Sequence, residues 1–179
     1  MRILGLDHVV LRCRDIDRML AFYTDVLGCP VARRNEPLGL IHLAAGSAQI
    51  DLVDVNGELG RAGGAAPGPE GHNMDHLCLR IEPFAEQELR LHFHRHGIDL
   101  GPIHHNFGAE GYGWAVYLKD PEGNSIELKG PPEPAPFSPA ALESGLRQPL
   151  GEVPAQQGTR RSHDPGADRR TAPPARSGP

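Results

Sequence analysis

Two histidines and two carboxylates occupy matching positions of a repeated sequence, and their chemistry suits a metal ion. The heptapeptide LDHVVLR, which contains His8, recurs 68 residues later as MDHLCLR, which contains His76. The shorter segment QIDL, which contains Asp51, recurs as SIEL, which contains Glu127. Imidazole and carboxylate are ligands that divalent transition metals accept. The repeat therefore predicts four candidate metal ligands, two from each half of the chain.

The elements that must position these residues also occur twice. Each heptapeptide has the aliphatic and β-branched composition of a strand, and a one-faced helix pattern follows it. The first helix is expected from the N-cap Asp15 to Gly28, and the second from Pro83 to Gly97. Three strands are then expected in each half, at about 30–36, 39–45 and 48–55, and at 98–105, 113–119 and 124–129.

This order predicts an α+β fold of two β-α-β-β-β repeats. Each repeat is expected to form a curled four-stranded mixed sheet with its helix on the outer face and a metal-binding cavity on the other. Strand alternation then assigns the faces. If the aliphatic residues of each strand pack on the helix, all four candidate ligands point to the cavity side of their sheets: His8, Asp51, His76 and Glu127. Asp7 and Asp75 fall on the opposite face, where turn or capping roles are expected.

Composition changes sharply after residue 130. Eleven of the 18 prolines lie in residues 131–179, with few large apolar side chains. Such a segment buries too little surface to offset its ordering entropy, which predicts a disordered Pro/Arg-rich tail. The folded domain is expected over residues 1–130, with halves at about 3–56 and 73–130, joined by an exposed Gly/Ala/Pro-rich connection.

Charge and cysteine content restrict the cellular setting. The net charge is −5, with no dense basic stripe, so we expect no nucleic-acid partner. Three cysteines without a C-x-x-C pair are a poor disulfide framework, which favours the reducing cytoplasm. The sequence shows neither a signal-length apolar run nor a transmembrane stretch, so we expect no membrane partner.

The residues that carry this pattern resemble one known group of proteins. LDHVVLRCRDIDRMLAFYTDVLG, MDHLCLRI and VYLKDPEGNSIELKG are similar to segments of the glyoxalase, fosfomycin-resistance and extradiol-dioxygenase superfamily, also called vicinal oxygen chelate proteins. The resemblance implies one divalent ion (Fe, Mn, Ni, Co or Zn) held by His8, His76 and Glu127. Glyoxalase-like members take a fourth ligand at the position of Asp51, where they usually carry the longer Glu.

The resemblance implies three alternative functions. The first is a metal-dependent lyase, isomerase or hydrolase that binds a small oxygenated substrate through neighbouring oxygens, with Glu127 and Asp51 as catalytic residues. The second is an Fe(II) extradiol ring-cleaving dioxygenase that uses His8, His76 and Glu127 alone. The third is a metal-free protein that binds a small drug, although the full ligand set argues against it. Relatives of this length commonly form homodimers, some with ligands from both chains, and we expect a homodimer.

Further residues are candidates for the substrate pocket. Tyr112 lies near the end of a Gly-rich segment, 106–113, that could cover the cavity. Trp114 follows this segment, although it suits a core position equally well. Arg12 and Cys78 point to the cavity side by strand alternation, as does Arg80. The two arginines could attract an anionic substrate or reach solvent at the rim. His42 is a weaker pocket candidate.

Overall fold

A computed structural model describes residues 1–133, and in it the chain forms two sheets of four strands. The strands are β1 His8–Cys13, β2 Val31–Asn35, β3 Leu40–Ala45, β4 Ala48–Asp54, β5 His76–Arg80, β6 Ile103–Gly108, β7 Gly111–Lys119 and β8 Ser125–Lys129. The helices are α1 Ile16–Ala21, which continues as a π-helical turn over Phe22–Val26, a 3-10 turn at Glu36–Leu38, α2 Glu58–Ala62 and α3 Glu86–Arg95.

The two sheets have the same strand order, which confirms the predicted repeat. The orders are β1-β4-β3-β2 and β5-β8-β7-β6. In each sheet the first strand runs parallel to the last, and the other pairs are antiparallel. The register places Asp51 beside Val10 and Glu127 beside Cys78. Each carboxylate therefore lies on the same face of the sheet as the histidine of the adjacent strand, two residues further along the strand direction.

Local sequence explains where the helices begin and end. The side chain of Asp15 accepts a hydrogen bond from the backbone N–H of Arg18 at 3.0 Å, as an N-cap does. Gly28 and Gly97 end their segments at φ 71°, a left-handed conformation that glycine adopts without a steric cost. Both helical termini therefore lie close to the predicted positions.

Two segments differ from the expectation. Strand β6 covers Ile103–Gly108 rather than 98–105, and it pairs with β7 through a hairpin, so most of the expected cover segment 106–113 is sheet. The connection between the halves contains the short helix α2. The sequence places Asn106 at the start of the cover segment, but in the structure it lies within β6, directly across from Gly113 of β7.

The halves share one apolar core, and this fixes which way their ligand faces point. The core cluster joins Leu11 and Leu52 of the first sheet to Leu77, Phe93 and Leu128 of the second half. On every strand concerned, these residues alternate with the candidate ligands. The apolar faces of the two sheets are therefore turned to the shared core, and the faces with the candidate ligands are turned away from it.

Arginine side chains tie the connection between the halves to β1. The guanidinium of Arg12 donates to the backbone oxygens of Gly60, Gly64 and Ala65 at 2.8–2.9 Å. Arg14 donates to Pro67 O at 2.9 Å.

Within residues 1–133, none of the helices has the length and apolar composition of a membrane span. The predicted disordered tail lies outside the described residues, apart from 131–133.

Candidate metal centre

In the second half, the predicted histidine and carboxylate lie side by side. His76 Nε2 is 3.3 Å from Glu127 Oε2. The Nδ1 atom of the same imidazole is 2.6 Å from Asp75 Oδ1. A carboxylate only accepts, so Nδ1 donates its proton to Asp75, and Nε2 is the nitrogen directed at Glu127, whose lone pair a cation between the two groups would use. Ligand histidines usually have this arrangement, in which a second-shell carboxylate fixes the tautomer and the ring.

Glu127 is buried, with 5% of its surface exposed, and neighbouring polar groups hold it. Asn106 Nδ2 donates to Glu127 Oε1 at 2.8 Å and to the Tyr117 hydroxyl oxygen at 3.0 Å. Burial and the negative charge of Glu127 raise the pKa of Tyr117. A buried carboxylate needs hydrogen-bond partners or a cation. The amide of Asn106 contacts Oε1 of Glu127, whereas Oε2 is directed at His76.

In the first half, a histidine of β3 takes the place nearest the carboxylate. His8 Nδ1 is 2.7 Å from Asp7 Oδ1, which leaves its Nε2 free. The hydrogen bond to Asp7, and then the charge of Asp51, raise the pKa of His8 against an opposing effect of partial burial. Asp51 is 4% exposed, and its Oδ1 lies 2.8 Å from His42 Nδ1. Asp51 therefore contacts the imidazole of His42 on β3, and it acts on His8 only through its negative charge.

Two roles were not expected from the sequence. The sequence predicts turn or capping roles for Asp7 and Asp75, but each binds Nδ1 of the histidine that follows it. Asn106 was placed in a loop, and it holds Glu127. The first role had a signal in the sequence, because the dipeptide Asp-His occurs at the same place in both repeats. The second needed the register of β6 on β7.

One chain does not bring the four predicted ligands together. Among residues 1–133 no group of three or more His, Cys, Asp and Glu side chains lies close enough to hold a metal ion. His76 and Glu127 form one pair, and His8 lies near Asp51 on the other sheet. Because the shared core lies between the two ligand faces, each chain carries two half-sites that point in different directions.

A cavity among the described residues lies away from the candidate ligands. Its volume is about 500 Å³, and it lies between the apolar faces of the halves, lined by side chains such as Val9, Ile50, Leu77, Leu79 and Phe93. None of the four candidate ligands lines it. Residues of both repeats line it, so it lies where the two repeats meet.

Tyr112 and Trp114 lie on the face of β7 opposite to Glu127. Glu127 pairs with Tyr117, and strand alternation places even-numbered residues of β7 on the other side. There, Tyr112 stacks on His105 with ring centres 5.6 Å apart, and Trp114 meets the same ring edge-on at 4.8 Å. The thickness of the sheet separates these aromatic rings from the second half-site.

The remaining pocket candidates differ in their surroundings. Arg12 is engaged with the connection between the halves, and Arg80 is exposed and pairs with Glu110. The exposure of Arg80 agrees with the expectation that this side chain reaches solvent at the rim of the site. Cys78 is the register partner of Glu127 on the neighbouring strand β5, so the two side chains lie on the same face of the sheet. Partial burial, and then the charge of Glu127, raise the pKa of the Cys78 thiol to about 11, so it is protonated at neutral pH.

The second half-site fits a divalent transition ion. Two ligands bound at about 2.0–2.2 Å, with angles near 90–110° between them, lie roughly 3–3.5 Å apart. The 3.3 Å between His76 Nε2 and Glu127 Oε2 falls in this interval. The imidazoles of His8 and His76 are half exposed, whereas both carboxylates are buried. Each half therefore offers a partial shell that is open on one side.

Comparison with known proteins agrees with this fold. The family model of the Glyoxalase/Bleomycin resistance protein/Dioxygenase superfamily matches residues 5–128. The match spans both repeats and includes all four candidate ligands. The chain belongs to this superfamily.

Individual relatives are moderately similar. The glyoxalase domain-containing protein RDO1 of Mycosarcoma maydis is 33% identical over 126 residues, which cover 69% of this chain and 66% of RDO1. The chain thus spans just under two thirds of that relative. A lactoylglutathione lyase of Salmonella typhimurium is 28% identical over 68% of this chain and 88% of its own. The structure of a lactoylglutathione lyase from Agrobacterium tumefaciens is 27% identical, with a TM-score of 0.55, over 72% of this chain and 95% of that one.

Proposed function

We propose that the protein is a metal-dependent enzyme of the glyoxalase type, a lyase, isomerase or hydrolase, that acts on a small molecule with two neighbouring oxygens. The observation that carries the proposal is the His76–Glu127 pair, whose 3.3 Å separation and Asp75-fixed imidazole suit ligation of one divalent ion. The relatives named lactoylglutathione lyase support this class of reaction.

The centre is completed by a second copy of the chain. One chain holds two half-sites on outward faces, so a two-fold dimer can bring the His8 half-site of one copy to the His76 half-site of the other. Two-fold symmetry then produces two identical centres per dimer. Each centre combines two imidazoles with Glu127 and the Asp51–His42 pair.

A bound ion would polarise the substrate oxygens and stabilise negative charge that develops on them. This chain's residues supply the surroundings. Asp7 and Asp75 hold the imidazoles with Nε2 outward, and Asn106 holds Glu127. Glu127 and Asp51 are buried carboxylates of the two half-sites, and we assign them the role of accepting a proton from a substrate carbon or hydroxyl. All three cysteines are free, which fits a cytoplasmic protein.

Metal analysis of protein purified without chelator tests this proposal. The expected result is a dimer in solution that binds one divalent ion per chain. The dimer should turn over a substrate such as lactoylglutathione, the compound in the relatives' names, without consuming oxygen. Iron with oxygen-dependent cleavage of a catechol would instead support the extradiol dioxygenase. A protein that binds no divalent ion would overturn both enzyme proposals and leave metal-free binding of a small molecule.

A further inference from the structure

Three histidines of the ligand faces share one arrangement, and the sequence pattern assigned only two of them to the metal. In each case Nδ1 lies 2.6–2.8 Å from an aspartate Oδ1. Nε2 of His8 and of His42 makes no hydrogen bond to a described residue, and Nε2 of His76 lies 3.3 Å from Glu127 Oε2. The pairs are His8 with Asp7, His76 with Asp75, and His42 with Asp51. In the first two pairs, the proposed function makes the imidazole a ligand and the aspartate its support.

The third pair has the same chemistry in a better protected place. The side chain of His42 is 19% exposed and that of Asp51 is 6% exposed. Asp51 Oδ1 accepts the hydrogen bond from His42 Nδ1, so the lone pair that can bind a metal is on His42 Nε2. A buried carboxylate that orients an imidazole is the usual outer shell of a histidine-bound metal. His42 is thus prepared as a ligand in the same way as His8 and His76.

Asp51 is less suited than Glu127 to bind the ion directly. The two carboxylates are equivalent in register, but the Glu127 side chain is one methylene longer and lies 3.3 Å from the histidine of the adjacent parallel strand. Within the described part of the chain, Asp51 forms no such contact with His8, and its close partner lies on the other side, on β3.

A side chain at position 42 is in the right place to reach the centre. His42 pairs with Asp51 as Tyr117 pairs with Glu127. The Tyr117 ring lies 5.8 Å from the ring of His76, centre to centre. In the second repeat, an aromatic ring at this position of the third strand therefore lies beside the first-strand histidine, and His42 occupies the equivalent position of the first repeat.

We propose that His42 Nε2 is the fourth metal ligand and that Asp51 is a positioning residue that holds His42. This inference rests on the proposed function, and it changes the first half's contribution from an imidazole and a carboxylate to two imidazoles. The ion would have three imidazoles and one carboxylate. Such a set favours Zn, Ni, Co or Fe over Mn, because imidazole suits the former ions better.

The experiment compares Co(II) binding to the dimeric wild type, His42→Ala, Asp51→Asn and the matched control Asp75→Asn, with circular dichroism to confirm folding. His42→Ala is expected to lose bound metal, as is Glu127→Gln, which is measured beside it. Asp51→Asn is expected to bind about 10–100-fold more weakly, as is Asp75→Asn, because both change an outer-shell partner. Loss of metal in Asp51→Asn with full binding in His42→Ala would overturn the inference.

X-ray absorption of the Co(II)-loaded wild type adds a measurement that needs no variant. Three imidazole rings around the ion support the inference, and two rings overturn it. Failure of the proposed function itself would give a different result. The wild type would then bind no Co(II), and His76→Ala would not differ from the wild type. A wild type that binds metal, a His76→Ala that does not, and a His42→Ala with full binding would refute only the role of His42.

Discussion

Asn106 Nδ2 lies 2.8 Å from Glu127 Oε1, and through this bond strand β6 holds a carboxylate of strand β8. The amide also donates to the Tyr117 hydroxyl at 3.0 Å, so three strands of the second sheet meet at this point. The contact leaves Glu127 Oε2 directed at His76. The position of the carboxylate therefore depends on a residue 21 positions earlier in the chain.

Removing this support should weaken the centre without removing a ligand. Asn106→Ala is expected to reduce metal affinity by about 10–100-fold, because outer-shell partners typically contribute that much. Isothermal titration with Zn(II) or Co(II) measures the change. Asn56→Ala, in the connection between the halves, is the control and should bind as the wild type does. Equal affinities for Asn106→Ala and wild type would contradict the role of the amide.

His76→Ala should lose metal and activity together, because the half-site keeps only Glu127 as a ligand. Elemental analysis of the purified variant measures the metal. His94→Ala removes an exposed imidazole of α3 and should keep full stoichiometry, which controls for the loss of any histidine. Metal retained at the wild-type level in His76→Ala would exclude this residue as a ligand.

A mixed dimer tests whether each centre is built from two chains. His8→Ala and His76→Ala should each lose metal as homodimers. Co-expressed and isolated through two different tags, the mixed dimer should recover about half of the wild-type metal, because one of its two centres combines two unaltered halves. If each centre were contained in one chain, both centres of the mixed dimer would lack a ligand and no metal would return.

Arg12 should affect stability rather than metal binding. Its guanidinium donates to three carbonyls of the connection between the halves, and Lys cannot reproduce that fork of donors. Arg12→Lys is expected to lower the free energy of unfolding by about 2 kcal/mol, measured by urea denaturation. The same exchange at the exposed Arg33 should change it by less than about 0.5 kcal/mol. Unchanged stability with weakened substrate binding would instead support the predicted pocket role.

The alkaline limit of stability should depend on Tyr23. Its hydroxyl donates to Asp120 at 3.2 Å in the core, and burial, followed by the charge of Asp120, raises the pKa of Tyr23. The unfolded chain then ionises first, near pH 10, so stability is present below that pH and is lost as pH rises above it. Tyr23→Phe should flatten this loss between pH 9 and 11 in urea titrations, at a cost of about 1 kcal/mol at neutral pH. An unchanged slope would contradict the role of the buried hydroxyl.

The sequence was sufficient for the repeat and for the faces of its strands, because both depend on local alternation. Leu11 and Leu52 are buried in the core as predicted, and His8 and Asp51 lie on the opposite face. The way the two sheets meet could not be predicted, because strand alternation assigns a residue to a face of its own sheet only. The expected common cavity of one chain is consequently absent among residues 1–133, where two separate half-sites are found.

The pairings of individual side chains also needed coordinates. The His42–Asp51 contact depends on the β3–β4 register, and the bond of Asn106 to Glu127 depends on two registers in succession. Tyr112 and Trp114 were expected near the pocket because of their place in the sequence. Their alternation relative to Glu127 only became clear once β7 was known to run without a bulge from Gly111 to Lys119.

The apolar face that the two repeats share has a consequence for any attempt to separate them. Residues 1–56 expressed alone would leave Leu11, Ile50 and Leu52 in contact with water, and such a fragment should aggregate or pair with another fragment through the same face. A primordial gene that encoded a single repeat would have faced the same constraint. Its product could have buried this face only by pairing with a second, identical unit.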